Sequence, residues 1–389
     1  MPEPQTLTKN KKNIFASLNG FLKTEKGLVY TSIGTMAASG LGGLFWLVLA
    51  SLLDVESYGV VNYYIALASV FSAVALLGLD ATVITFMSKG ERKIWFQANS
   101  LVLISGLITA GILSIFQWAA GLLSIAMVFF MMTLAEALGK KQYGSYAILS
   151  VGERIVQLVL SLLLYIPFGI FGIIFGYFFG NFVFSYRYLR TLPNFSLQID
   201  SVKEKRTFAL HSYGFNLIRN FTNWLDKIVI APLFGYYLLG LYQLGFQFFM
   251  FLSIIPLSLY YYLLPEEASG KSKTKIKYLG FAFAVIAGVS AFFFTPYIIE
   301  RLFSSFIDSV LIVRIMCLAI IPQTLVSICN ASLLGRGQSK SVFIAGLIYI
   351  CMLLVLLYVL GQIFGPIGLA ITLIISQSAQ ASYLLMKYR

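Results

Sequence analysis

Long apolar runs, one after another, decide what this chain can fold into. Twelve can be drawn, over residues 27–53, 58–80, 96–117, 119–139, 146–166, 168–189, 209–232, 237–263, 277–299, 309–333, 341–361 and 364–386. A helix needs about 20 apolar residues to cross a bilayer, and only helices and closed barrels satisfy their backbone polar groups there. Barrel strands would be about 10 residues long and alternate in polarity, whereas these runs are long and continuous. The chain reads as an all-α polytopic membrane protein with about twelve transmembrane helices. Only 11% of its 389 residues are charged, against about 25% in a soluble domain.

The net charge of +13 would suggest nucleic acid in a soluble protein. Here its distribution gives another reason for it. Placing both tails and the even-numbered connections on one side puts 23 of the 28 Lys and Arg there and leaves Arg301 alone opposite. Arg154, Arg219, Lys227 and Arg314 fall inside spans. This is the positive-inside pattern, and it predicts a multi-pass protein of the cell (inner or plasma) membrane with both termini cytoplasmic. Residues 1–26 form a basic polar tail without a short apolar run and cleavage site, so no signal peptide is expected. The opposite-side loops are too short for an external domain.

The chain repeats itself. At an offset of 181, Ala50–Gly59 falls on Ala231–Gly240, each joining the first and second spans of a half. At an offset of 196, Gly139, Gln142 and Ser145 fall on Gly335, Gln338 and Ser341, and Phe168, Gly169 and Gly172 on Phe364, Gly365 and Gly368. The change of offset is an insertion of 15 residues in the second half. With six spans each, both halves enter from the same side, a parallel repeat about an axis along the membrane normal, as transporters use. The expected lobes are 27–200 and 201–389.

Motifs for covalent chemistry are missing. His211 is the sole histidine and has no triad partner near it in sequence. Cys317, Cys329 and Cys351 lie in apolar runs without metal-ligand or disulfide spacing. Gly270-Lys271-Ser272 resembles the end of a phosphate loop, but Pro265 stands where its first glycine should be. Asn194-Phe195-Ser196 is a glycosylation sequon on the expected cytoplasmic side. No cofactor, metal or nucleic acid is expected. Gly172, Gly176 and Gly180 are spaced for close helix packing.

Polar residues inside the spans single out a site, because a charge at mid-membrane costs about 2.5–3.5 kcal/mol on insertion scales. In the seventh span Asn216, Asn220, Asn223 and Lys227 follow spacings of four, three and four, flanked by Arg219 and Asp226. At the offset of 181 they fall on Thr35, Ser39, Gly42 and Trp46 of the first span. Two soft faces turned to a shared centre predict a water-filled cavity; a packed seam of small and amide residues is the alternative. Glu136, Glu153, Arg154 and Arg314 are the other membrane charges, and Arg154, Gln157 and Ser161 share a helical face. Local pairs with snorkelling side chains explain some of these, while a ladder of positive charge suits an anionic head group. Asp80, ending the second span, reads as interfacial.

Together with the two six-span halves and the basic tail, Leu52-Leu53-Asp54-Val55-Glu56-Ser57-Tyr58-Gly59 resembles the Wzx-type polysaccharide flippases of the MOP (MATE-like) superfamily. The second half adds Asp226-Lys227-Ile228-Val229-Ile230, Gly240-Leu241-Tyr242 and Leu264-Pro265. The resemblance implies flipping of a polyprenyl-(pyro)phosphate-linked oligosaccharide for surface polysaccharide synthesis, by alternating access around a cationic cavity. Arg219, Lys227, Arg314 and Arg154 are then the candidate phosphate contacts, with Asn216, Asn220 and Asn223 beside them. Asp226, Glu153 and Glu136 are candidates for H⁺ or Na⁺ coupling or for charge pairs. Polysaccharide-assembly enzymes are the expected protein partners. The chain lacks the two additional helices of the lipid II flippases. A coupled MATE-like exporter of drugs or other small molecules is the alternative; a membrane polymerase or ligase is disfavoured by the short outer loops.

Overall fold

A computed structural model of the protein describes residues 26–195, 198–270 and 273–388. The basic tail, apart from its last residue, and Ser196, Lys271 and Ser272 of the sequon and the loop lie outside the described residues. Among the described residues, every regular element is a helix, and nine helices are long and apolar enough to cross a membrane. Two of them, Arg206–Ala268 and Ser339–Tyr388, each contain two spans, joined at Gly235 (φ 88°) and Gly365 (φ 55°). The shorter apolar helix Ile170–Val183 brings the spans to twelve. Both described chain ends therefore lie at one end of the bundle, termed here the near end; the other is the far end.

Span boundaries follow local chemistry. The first span is Lys26–Leu52 and the second starts at Val55. Asp54 caps the second: its carboxylate accepts from the Ser57 amide at 2.9 Å and from the Ser57 hydroxyl at 2.5 Å, satisfying donors that a helix start leaves free. The second span differs from the sequence reading. It breaks at Leu77 and Gly78, both left-handed (φ 51° and 71°), and continues as Leu79–Met87. The close approach of the seventh span dictates this break, since a Cβ on Gly78 would lie 2.4 Å from the Ala209 carbonyl oxygen. The eighth span breaks again between Leu252 and Ile254, and the tenth between Cys317 and Ile320. The sixth is shorter than expected: it stops at Val183, and Tyr186–Leu189 forms a separate turn of helix.

The repeat is visible residue by residue. Gly169 and Gly365 adopt nearly the same conformation, φ 55° with ψ −137° and −132°. A Cβ on Gly172 would lie 2.0 Å from the Leu164 oxygen, and one on Gly368 would lie 1.9 Å from the Leu360 oxygen, the same contact 196 residues on. Gly176 and Gly180 likewise press on Ser161 and Gln157 of the fifth span. Where the halves meet, the contact is reciprocal. A Cβ on Gly59 would lie 1.9 Å from the Tyr236 oxygen, and one on Gly240 would lie 1.9 Å from the Val55 oxygen. Adding 181 to Gly59 and Val55 gives Gly240 and Tyr236, so a twofold pseudo-axis passes between the two pairs.

Aromatic packing closes the far end around this contact. Trp46 meets Tyr58 edge-on with ring centres 5.9 Å apart, and Tyr58 meets Phe306 of the other half at 5.4 Å. Tyr58 and Phe306 are fully buried in a hydrophobic core that draws on both halves.

Candidate functional site

Below this aromatic seal lies a central cavity of about 460 Å³. Its walls come from the first, second, fourth, fifth and sixth spans, with Asn220 and Trp224 from the seventh. Thr35, Ser39, Gly42 and Trp46, the stripe marked by the internal repeat, all line it. The seventh-span stripe only partly does so.

The charged centre of the cavity is in the fifth span, where Glu153 and Arg154 both face it. Arg154 Nε stands 3.2 Å from Glu153 Oε2, and one terminal nitrogen donates to Gln157 Oε1 at 2.6 Å. Glu153 is 2% exposed and accepts from Asn181 Nδ2 at 3.3 Å. Ser150, also on the wall, has a buried hydroxyl with no hydrogen-bond partner in the protein. Ser69, Ser72, Tyr146 and Tyr177 add to the polar lining. Sequence reasoning passed over Ser69, Ser150, Tyr177 and Asn181; the amide of Asn181 within Phe178–Phe184 was a legible signal.

The cavity is not a cationic chamber. Among the described residues its walls carry one arginine, paired with one glutamate, and three of the cations assigned to it, Arg219, Lys227 and Arg314, lie elsewhere. Lys227 is 1% exposed and packed inside the second half. Its ammonium lies 3.0 Å from Asp226 Oδ1, donates to the Asn223 carbonyl at 2.8 Å and stands 3.8 Å from the Phe246 ring centre. Asp226 in turn accepts from Tyr242 OH at 2.9 Å. A buried charge needs partners, and here neighbouring side chains provide them instead of water. Arg314 donates to the Phe292 carbonyl at 3.1 Å and lies over the Phe292 ring at 4.1 Å, against the ninth span.

The remaining candidates divide. Arg219 and Asn223 are exposed on the seventh span and outside the cavity lining. Asn216 Nδ2 lies 3.3 Å from each carboxylate oxygen of Asp80, and Arg219 is within electrostatic reach of the same group. Asp80 is thus an inter-lobe contact, formed where the broken second span meets the seventh. Glu136 pairs with Lys140 and faces a second cavity, separate from the first. A further buried pair, Lys277 with Glu267 at 2.7 Å, sits at the near end of the second half; the sequence had placed both in or beside a loop.

Two parallel six-span repeats that meet at a sealed end, above a cavity lined by the first half and by Asn220 and Trp224 of the second, define a transporter architecture. The family of polysaccharide biosynthesis proteins matches residues 48–258, and the chain belongs to that family. Its fold is similar to that of the lipid II flippase MurJ in an inward closed conformation, with a TM-score of 0.75 at 15% identity, over 92% of this chain and 87% of that one. It is also similar to an inward-facing multidrug resistance MATE transporter of the MOP superfamily (TM-score 0.67, 14% identity, 93% of this chain and 98% of that one). An outward-facing MATE transporter gives a TM-score of 0.59 at 16% identity, covering 94% of each chain. No curated protein matches the sequence. The family match and the shared fold agree with the resemblance read from the sequence, and the chain is a multi-pass membrane protein with the fold of these transporters.

Proposed function

We propose that the protein flips a polyprenyl-(pyro)phosphate-linked oligosaccharide from the inner to the outer leaflet for surface polysaccharide synthesis. The near end is assigned to the cytoplasmic side from the positive-inside pattern. Lobes 27–200 and 201–389 rock about the pseudo-axis, and the far-end seal opens when the near end closes. The observation that carries this reading is a cavity, closed at the far end, whose wall bears the Glu153–Arg154 pair, in a member of the polysaccharide biosynthesis family.

Arg154 is the phosphate contact, making charge-assisted hydrogen bonds, with the free Ser150 hydroxyl beside it. Glu153 competes with the substrate for the guanidinium. Protonating Glu153 releases Arg154 to an anion, which couples substrate binding to a proton. The sugar occupies the cavity, against the polar groups of its wall, while the polyprenyl tail stays in the bilayer, and assembly enzymes meet the product outside. The experiment is transfer of a lipid-linked oligosaccharide across proteoliposomes. Arg154→Ala should abolish transfer at normal expression, and Arg154→Lys should retain part, since lysine keeps the charge but loses the planar fork. Full transfer by Arg154→Ala rejects this assignment.

The neutral Glu153–Arg154 pair also favours a second reading, H⁺- or Na⁺-coupled export of a small molecule. Glu153→Gln separates the two. It should leave oligosaccharide transfer running without pH dependence in the flippase, and stop export in a proton-coupled exporter.

A further inference from the structure

The near end of the first half holds a second cavity of about 960 Å³, which shares no lining residue with the central one. Five cations converge on it: Arg92, Lys140, Lys141, Arg187 and Arg190. Among the described residues Glu136 is the only acidic one lining it, and Lys140 already neutralises it. Basic residues at this end of the bundle are ordinary; their convergence on one concave space is not.

Two details show that the site is arranged. Arg187 is held in place, donating to Gln142 Oε1 at 2.6 Å and lying over the Tyr186 ring. Lys141 has a left-handed backbone, φ 57°, where a β-carbon is disfavoured. Its counterpart 196 residues on is Gly337, φ 77°. The second half uses glycine at this turn, the unstrained choice, while the first half keeps a lysine there and points a charge into the cavity. The counterpart of Lys140 is Arg336, which donates to the Tyr388 carbonyl at 3.3 Å and lies over its ring. The last span runs on to Tyr388 and covers that place, whereas the sixth span stops at Val183 and leaves this one open.

We propose that this pocket binds the phosphate headgroup of an anionic membrane lipid. Basic pockets between spans on the cytoplasmic side suit such headgroups. The choice of a lipid over a soluble phosphate rests on the pocket's place at the end of the apolar spans and on its exposed aromatic wall, Phe96 and Tyr186. The site is independent of transport: it would regulate or anchor the first half whatever the central cavity carries.

The test is binding to the purified full-length protein by native mass spectrometry, titrating phosphatidylglycerol, cardiolipin and phosphatidylcholine, with inorganic pyrophosphate as the soluble arm. The key variant is Lys141→Gly with Arg190→Gln. It removes two cations and also relieves the strained turn, so its thermal midpoint should not fall. Anionic-lipid affinity should drop about tenfold or more, with phosphatidylcholine unchanged. The single variant Lys141→Gly, for which a folding defect is least expected, should lose part of the same affinity. Unchanged anionic-lipid binding in the double variant overturns the proposal. So does pyrophosphate binding that anionic lipid fails to displace, which would make the pocket a site for soluble phosphates.

Discussion

The reciprocal glycine contact at the far end gives a sharp perturbation. In Gly59→Ala the new Cβ would start 1.9 Å from the Tyr236 oxygen, where real Cβ contacts are essentially never below 3.0 Å. The two backbones must separate by the difference, at least 1.1 Å. Both are carried by packed helices, so the strain is that of an overfilled core, about 1–3 kcal/mol. That strain exists only while the far end is closed, so it shifts the closed–open balance by about 5–150-fold toward open. The readout is a single cysteine at Phe306, buried in the far seal, in a background with Cys317, Cys329 and Cys351 replaced by Ala. Its labelling by a membrane-impermeant thiol reagent tracks the open population when opening is fast and should rise by that factor. Gly240→Ala should do the same. One separation relieves both clashes, so the double variant should fall short of the product of the singles. Labelling of well-expressed Gly59→Ala at the parent rate would refute the seal, because the clash would then have been absorbed without moving the lobes.

Other perturbations separate structural charges from working ones. Asp226→Ala strands the buried Lys227 ammonium and should cost about 3–5 kcal/mol, seen as lost expression and thermal stability; Asp226→Leu combined with Lys227→Met should recover much of it. Arg314→Ala should lower the thermal midpoint and leave transfer per folded molecule near the parent level, whereas Arg154→Ala should do the reverse. Asp54→Ala should cost about 1 kcal/mol through loss of the helix cap. Burial pushes the Asp54 carboxyl up, but the two Ser57 hydrogen bonds outweigh it and hold it below its ordinary value of 3.8. A lowered native value means that the cap contributes fully above pH 3.8 and is lost as pH falls through that lowered value; an acid melt of the parent and of Asp54→Ala should converge there.

Much of the fold was legible because hydropathy, charge bias and glycine each report a separate constraint. Span number came from run length and from the sidedness of Lys and Arg. The repeat was written in glycines, since Gly59, Gly172 and their counterparts stand where a backbone carbonyl leaves no room for a β-carbon. The helix breaks at Leu77–Gly78 and before Ile320 were hidden, because tertiary contacts impose them inside apolar sequence. The site was half legible. Thr35, Ser39, Gly42 and Trp46 were found as one face of one helix, which periodicity can see. Lys227 and Arg314 were misplaced because their partners, Tyr242 and Phe246 or Phe292, lie on other spans or beyond a turn. A one-helix stripe shows that a charge must be satisfied and not by what.

The distribution of charge across the two halves follows from the same argument. The second half holds two of its membrane cations internally, Lys227 paired with Asp226 and Arg314 against a carbonyl and a ring. The first half leaves Arg154 on a cavity wall, paired with Glu153; under the proposed function a substrate phosphate displaces that glutamate. Rocking requires one surface that is rigid and one that exchanges partners. A buried pair with every hydrogen bond satisfied is costly to rearrange, which suits the second half to act as the fixed body. The Asp80–Asn216 contact and the Gly59–Gly240 contact both lie on the seam between the halves, one toward the near end and one at the far end. Both are formed together in this structure, so removing either weakens the same far-closed state. In the Phe306→Cys assay Asn216→Ala should therefore raise labelling in the same direction as Gly59→Ala, and by less, since it removes two 3.3 Å contacts without introducing a clash. A fall in labelling with Asn216→Ala would mean that the Asp80 contact is stronger when the far end is open, as a near-end seal alternating with the far-end one must be.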